Sequence, residues 1–136
     1  MTNVLVRHAS AGDRRQWTGD DRLRPLDGRG RRQAASLVEL LRSHQVLRVV
    51  SSPYLRCIET VEPLASARGL PLERDERLAE GARRAALELL RDDGLVVCTH
   101  GDVVEEVLGR NLKKGAAAVM RDGVVVAEIP APSGVG

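Results

Sequence analysis

Several residues in this chain are of types that act on phosphate, and their spacing sets them at equivalent places. Arg7-His8 ends the apolar run Val4-Leu5-Val6 and is followed by the small residues Ala9, Ser10, Ala11 and Gly12. Arg56 follows Ser51-Ser52-Pro53, just past a second apolar run, and His100-Gly101 closes a third, Leu95-Val96-Val97-Cys98-Thr99. Guanidinium forks match phosphate oxygens. A neutral imidazole nitrogen can attack phosphorus and carry the phosphoryl group covalently. Arginines beside His8 disfavour a second positive charge and so keep it nucleophilic, while stabilising charge on the oxygens in flight. His100 can donate to the same oxygens. A carboxylic acid is needed to protonate a poor leaving oxygen; Glu80 is the best placed, with Glu76 its rival. Ser10 and Arg24 are expected to contact the substrate.

Metal binding is the competing chemistry, with His8, His100 and Cys98 as ligands. Cys98 and His100 share a face only if the strand stays regular to its end, and two nearby arginines repel a cation, so no metal or cofactor is expected. Taken singly, each residue also has a plain structural role. Arg56 reads as an exposed helical arginine, Cys57 as a core thiol, and His44 as a cation in the last turn of a helix, with no chemistry.

These residues need elements to hold them. Apolar, Val-rich runs predict strands at 4–7, 47–50 and 95–99, with a minor strand at Leu72–Arg74 and the third run central to a sheet. Helical spacing predicts helices at 28–44, with Asp27 as N-cap, at 53–68, with Ser52 as N-cap and Pro53 in the first turn, and at 82–90 and 103–108. Residues 13–24 and 75–81 read as polar loops, the first made basic by Arg14, Arg15, Arg22 and Arg24. Residues 115–120 and 124–129 read as a hairpin turning at Asp122-Gly123, and 130–136 as a frayed tail. The alternation predicts an α/β three-layer sandwich, a mainly parallel sheet with helices on both faces and a C-terminal hairpin. In such a sheet Arg7, His8, Arg56 and His100 lie at the carboxyl ends of strands or just beyond, along one edge.

Composition narrows the classes. The 136 residues suit one domain, 1–136, without repeats or a linker; 43% are hydrophobic and 29% charged, which makes the chain globular. A net charge of +2 is too small to mark a binder of nucleic-acid polymers, and with Trp17 and Tyr54 but no Phe a stacking platform along a single strand is excluded. Two cysteines form no disulfide framework, and no leader or membrane run is visible, so a cytoplasmic protein without membrane contact is expected.

The same stretches resemble a known family. Leu5-Val6-Arg7-His8-Ala9 is similar to the Arg-His signature of the histidine phosphatase superfamily, which includes the phosphoglycerate mutases. The segment from Pro25 to Ala34 resembles its Pro-Leu-Thr-x-x-Gly-x-x-Gln-Ala motif with Asp27 for Thr, Ser52 to Thr60 its Ser-Pro-x-x-Arg-x-x-x-Thr motif, and Thr99-His100-Gly101 its late histidine. The four keep family order and span nearly the whole chain. The resemblance implies a phosphoglycerate mutase-like fold, His8 as phosphohistidine nucleophile, and Arg7, Arg56 and His100 around the phosphate. Leu78-Ala79-Glu80 resembles the Leu-x-Glu that supplies the acid in mutase-like members, while small SixA-type members do not clearly use it. Thr18 to Asp21, Arg24 to Asp27 and Val97 to Thr99 are similar to the C-terminal phosphatase domain of mycobacterial MutT-type Nudix hydrolases, whose Nudix half has no counterpart here.

The expectation is a metal-independent phosphatase acting on a phosphorylated protein side chain or a nucleotide. Its rival is a phosphate-binding module without turnover, a pseudophosphatase or partner of a Nudix hydrolase. Mutase chemistry is disfavoured, because the chain lacks the long insertions that enclose a small sugar phosphate. Oligomeric state is not legible.

Overall fold

The computed structural model describes residues 1–133. The continuous apolar runs become the strands of one six-stranded sheet: β1 (Asn3–Arg7), β2 (Arg48–Ser51), β3 (Leu72–Arg74), β4 (Leu95–Thr99), β5 (Ala117–Arg121) and β6 (Val124–Ile129), in the order β3-β2-β4-β1-β5-β6. The first four are mutually parallel, and β5 joins β1 antiparallel. The β5–β6 hairpin turns through Asp122 and Gly123, both with positive φ (52° and 78°), as a tight hairpin turn requires.

Alternation along β1 assigns the layers. Val4 and Val6 face one side, against Leu37 and Leu41 from the first helix and Cys57, Val61 and Leu64 from the second. Leu5 faces the other, with Leu78, Leu89, Val103 and Val104. The helices are α1 (Gly28–Leu40), α2 (Leu55–Arg68), α3 (Ala86–Leu89) and α4 (Gly101–Leu108), so the three-layer α/β sandwich stands as expected.

Asp27 does cap α1, accepting from the Gly30 amide. Other boundaries differ, each for a local reason. The first helix ends at Leu40, so His44 lies in a turn beyond it rather than in the last helical turn; the Arg68 guanidinium donates to the Leu41 and His44 carbonyls there. The second helix starts at Leu55 with Tyr54 as N-cap; Ser52 and Pro53 precede it, and the Ser52 hydroxyl accepts from the Tyr54 N–H at 3.2 Å while meeting His100 Nε2. The helix expected at 82–90 is a 3-10 turn, Arg83–Ala85, and the single turn α3: Arg83 has φ 45°, which no α-helix accepts. The loop 13–24 contains two 3-10 turns, Arg14–Gln16 and Asp21–Leu23. The tail is tied rather than frayed as far as it is described, since Gln33 Nε2 donates to the Pro132 carbonyl at 2.9 Å; the remainder of that expectation, 134–136, lies outside the described residues.

Candidate active site

Parallel pairing sets Arg7 beside Thr99 and Ser51 beside Cys98, so the segments leaving β1, β2 and β4 emerge on one edge. The loop after β1 is held there amide by amide. The His8 N–H donates to Thr99 O (3.0 Å), Ala9 N–H to Thr60 Oγ1 (2.9 Å), Ser10 N–H to Gln33 Oε1 (3.0 Å) and Gly12 N–H to Asp27 Oδ2 (3.0 Å). Four neighbouring pieces of chain therefore fix the backbone that carries His8. The close approach of α1 demands glycine at position 30: a Cβ there would sit 1.9 Å from the Ser10 carbonyl oxygen.

His8 is 5% exposed. Its Nδ1 lies 2.8 Å from the Ala9 carbonyl, an acceptor only, so Nδ1 bears the proton and Nε2 keeps its lone pair. Burial pulls the imidazole down to about 3, with the charges of Arg56 and Arg7 acting in the same direction and the Ala9 hydrogen bond against it. The ring lies 5.6 Å from that of His100, at 63°. The Nε2 atom of His100 sits 2.8 Å from Ser52 Oγ and 3.5 Å from Cys57 Sγ, and the Tyr54 ring packs edge-on at 4.6 Å. Among the described residues, the buried side-chain polar atoms without a hydrogen-bond partner are Arg7 Nε, Arg56 Nε, His100 Nδ1 and His44 Nδ1. Three of these belong to the expected site, a concentration that packing does not explain.

A cavity of about 450 Å³ opens here. Arg7, His8 and His100 line it, together with Arg14, Arg24 and Glu80. The Arg7 guanidinium donates to Leu112 O at 2.7 Å and reaches so close to Gly101 that a Cβ there would lie 3.0 Å from it. Glu80 pairs with Arg14 at 2.6 Å and lies 3.6 Å from Arg56. Glu76, its rival, pairs instead with Arg22 at 3.2 Å and does not line the cavity.

Two expected residues are not on the cavity wall. Arg56 is in the first turn of α2 but wholly buried, not exposed. It donates to Asp21 O at 2.9 Å and Asp21 Oδ2 at 3.1 Å, and its guanidinium lies over the Tyr54 ring. It is not among the cavity-lining residues. Ser10 donates its hydroxyl to Asp27 Oδ2 at 2.7 Å, which makes it part of the loop's anchorage rather than of the cavity wall. Arg24 does line the cavity, 5% exposed, donating to Ala11 O and to Asp21 Oδ1.

Sequence reasoning passed over Asp21 and Lys114. Burial works to raise the Asp21 carboxyl, but the hydrogen bond from Arg24 and the charges of Arg56 and Arg14 outweigh it and hold it below the usual carboxylate range. Lys114 lines the cavity, and burial and the charges of Arg7, Arg24, Arg14 and Arg56 lower its ammonium. The signal for Lys114 was topological. An antiparallel strand beside β1 begins where β1 ends, and the Gly115 N–H closes the turn onto Arg7 O at 3.1 Å and His8 O at 3.0 Å. Among the described residues there is no group of three or more His, Cys, Asp or Glu that could hold a metal, and no helix is long and apolar enough to cross a membrane.

Comparison with known proteins bears on this geometry. Residues 3–86 match the family model of the histidine phosphatase superfamily (branch 1). A Mycolicibacterium smegmatis protein named 8-oxo-(d)GTP phosphatase is 39% identical over 112 residues, covering 76% of this chain and 35% of its own length. The chain thus spans about a third of that relative. Among solved structures, the protein histidine phosphatase SixA complexed with tungstate superposes with a TM-score of 0.75 at 23% identity, covering 96% of this chain and 97% of its own. Bacillus stearothermophilus YhfR does so with a TM-score of 0.75 at 18% identity, covering 98% and 99%. At such identities these two likenesses speak to the fold.

Proposed function

This chain belongs to the histidine phosphatase superfamily; from that premise we propose that it is a phosphoric monoester hydrolase that works through a phosphohistidine on His8, without a metal ion. The observation that carries the reading is the Nδ1–H···O=C bond to Ala9, which leaves the Nε2 lone pair of a neutral, buried imidazole among arginines. Nε2 attacks phosphorus in line, the P–O bond to the leaving group breaks, and the leaving oxygen takes a proton from Glu80. Arg7, Arg56 and His100 Nδ1–H hold the three equatorial oxygens. With Ser52 Oγ donating to His100 Nε2, the proton of that ring stays on Nδ1. Water then attacks the phosphorus and gives a proton to the Glu80 carboxylate left by the first step, the P–N bond breaks, and phosphate, neutral His8 and protonated Glu80 result. Arg24 and Lys114 add charge at the cavity wall for a substrate with further anionic groups.

The substrate is a phosphorylated protein side chain or a nucleotide, presented to a cavity with little chain around it. The nucleotide side draws support from the curated relative's name, 8-oxo-(d)GTP phosphatase. The residues form one domain, and two buried free cysteines fit a reducing, cytoplasmic setting.

One observation favours the reading without turnover. Of the terminal nitrogens of Arg56, one donates to the Asp21 backbone carbonyl and the other to its carboxylate, so a phosphate must displace one or both of these acceptors to reach the guanidinium. Hydrolysis of p-nitrophenyl phosphate in EDTA decides between the two. The catalytic reading predicts turnover that EDTA leaves unchanged and that His8→Ala abolishes; a binding module gives no turnover.

A further inference from the structure

A second cleft adjoins the His8 cavity, and nothing in the reaction uses it. It holds about 270 Å³ and is lined by the apolar Ala11, Trp17, Pro25 and Leu26 and by the polar Asp13, Gln16 and Asp27. Gly12 and Arg24 line both spaces. Gly12 adopts φ +67°, and a Cβ built there would meet nothing within 4 Å, so no side chain stands between cleft and cavity at that point. Arg24 spans the junction as a buried cation, its guanidinium fixed by Ala11 O and Asp21 Oδ1.

Trp17 is the only tryptophan in a chain with no phenylalanine and one tyrosine, and it is 38% exposed on this loop. Its indole N–H donates to Asp20 O at 2.9 Å, which anchors the ring. An anchored indole beside Pro25 and Leu26 suits a flat, weakly polar ring. The neighbouring cations suit the phosphate joined to that ring, and the bare Gly12 backbone leaves room for the sugar between them.

We propose that this cleft seats the base of a nucleotide whose phosphate lies against His8, so that nucleotides are the substrate class. The proposal rests on the phosphatase reading of the His8 cavity. One indole cannot make a platform for a strand of bases, but it is sufficient for a single base. A phosphorylated protein side chain carries its ring, where it has one, directly on the phosphoryl group, and so cannot set it a sugar's length away in the cleft.

The single tryptophan is also the probe. His8→Asn, which cannot turn over substrate, is titrated with guanosine 5′-monophosphate, ribose 5-phosphate and inorganic phosphate while Trp17 emission is followed. The nucleotide should quench saturably and bind at least tenfold more tightly than ribose 5-phosphate, which should displace it without quenching. No quenching at saturating nucleotide, or equal affinity for the two, overturns the proposal. In the chain with His8 intact, Trp17→Ala should lower the ratio of kcat/KM for the nucleotide to that for ribose 5-phosphate at least tenfold, and Trp17→Phe should recover most of it. An unchanged ratio overturns the base site, and if Trp17→Ala does not fold the titration decides alone. Base-dependent quenching without turnover of either phosphate would refute the phosphatase reading and leave the base site standing.

Discussion

His8, as the proposed nucleophile, meets opposite demands: a nucleophile must keep a lone pair, and a buried imidazole must avoid charge. Both are satisfied by holding its proton affinity down to about 3, against an ordinary value of 6.5. The sign for stability follows. Between pH 6.5 and 3 the unfolded chain binds a proton that the folded chain refuses, so stability falls as pH drops through that window. His8→Asn should lose this dependence: relative to the parent it should gain up to about 3 kcal/mol on going from pH 7 to pH 4, measured by urea unfolding. A constant difference across the window would mean that His8 is not buried neutral. Arg56 is the second test at this scale. Arg56→Ala should lower kcat/KM about a hundredfold or more, and Arg56→Lys should recover only part, because an ammonium offers no fork. Full activity in either variant, measured on folded protein, would remove Arg56 from the site. Glu80 is tested by leaving group. Glu80→Gln should impair alkyl phosphate esters far more than p-nitrophenyl phosphate, whose leaving group needs no proton. An equal loss on both would assign Glu80 to binding or folding.

The elements matter here for how they grip one loop. Between His8 and Gly12 the backbone is tied to β4, α2, α1 and the α1 cap, and α1 approaches it so closely that only glycine fits at position 30. Gly30→Ala should therefore cost at least ~2 kcal/mol in urea unfolding and disturb the site, because the clash is with backbone. Gly19→Ala meets no atom within 4 Å and should cost only about 1 kcal/mol, through its positive φ. Comparable costs would mean that α1 can withdraw freely from the loop. These facts also explain what was legible in the sequence. Continuous apolar runs mark β1, β2 and β4, and the residues at their ends inherit a common edge from parallel topology. Resemblance marks Thr60, Gln33 and Gly30 as motif positions, yet their work is to hold the His8 loop, which no spacing reveals. The stripe at 82–90 has helical period but is interrupted at Arg83 by the left-handed backbone that follows Gly81. The burial of Arg56 and its pairing with Asp21 join residues 35 positions apart, across a loop whose path composition does not set.

At the scale of the molecule, a sheet with both faces covered leaves its carboxyl edge as the place where chemistry can occur. That edge gathers Arg7, Arg14, Arg24 and Lys114 around one cavity that Glu80, Asp102 and Glu105 also line, on a chain whose net charge is only +2. Cations and carboxylates thus alternate around the cavity, a pattern without the broad positive field that long-range attraction to a polymer needs. The central claim is that one nitrogen at this edge carries the phosphoryl group. Rapid mixing with a labelled phosphate ester, followed by alkaline quench and mapping of the modified residue, measures it directly. The prediction is a label on His8 that survives alkali, is lost in acid as a phosphoramidate must be, and is absent from His8→Ala. An alkali-stable, acid-labile phosphoenzyme in His8→Ala equal to that of the parent would contradict it.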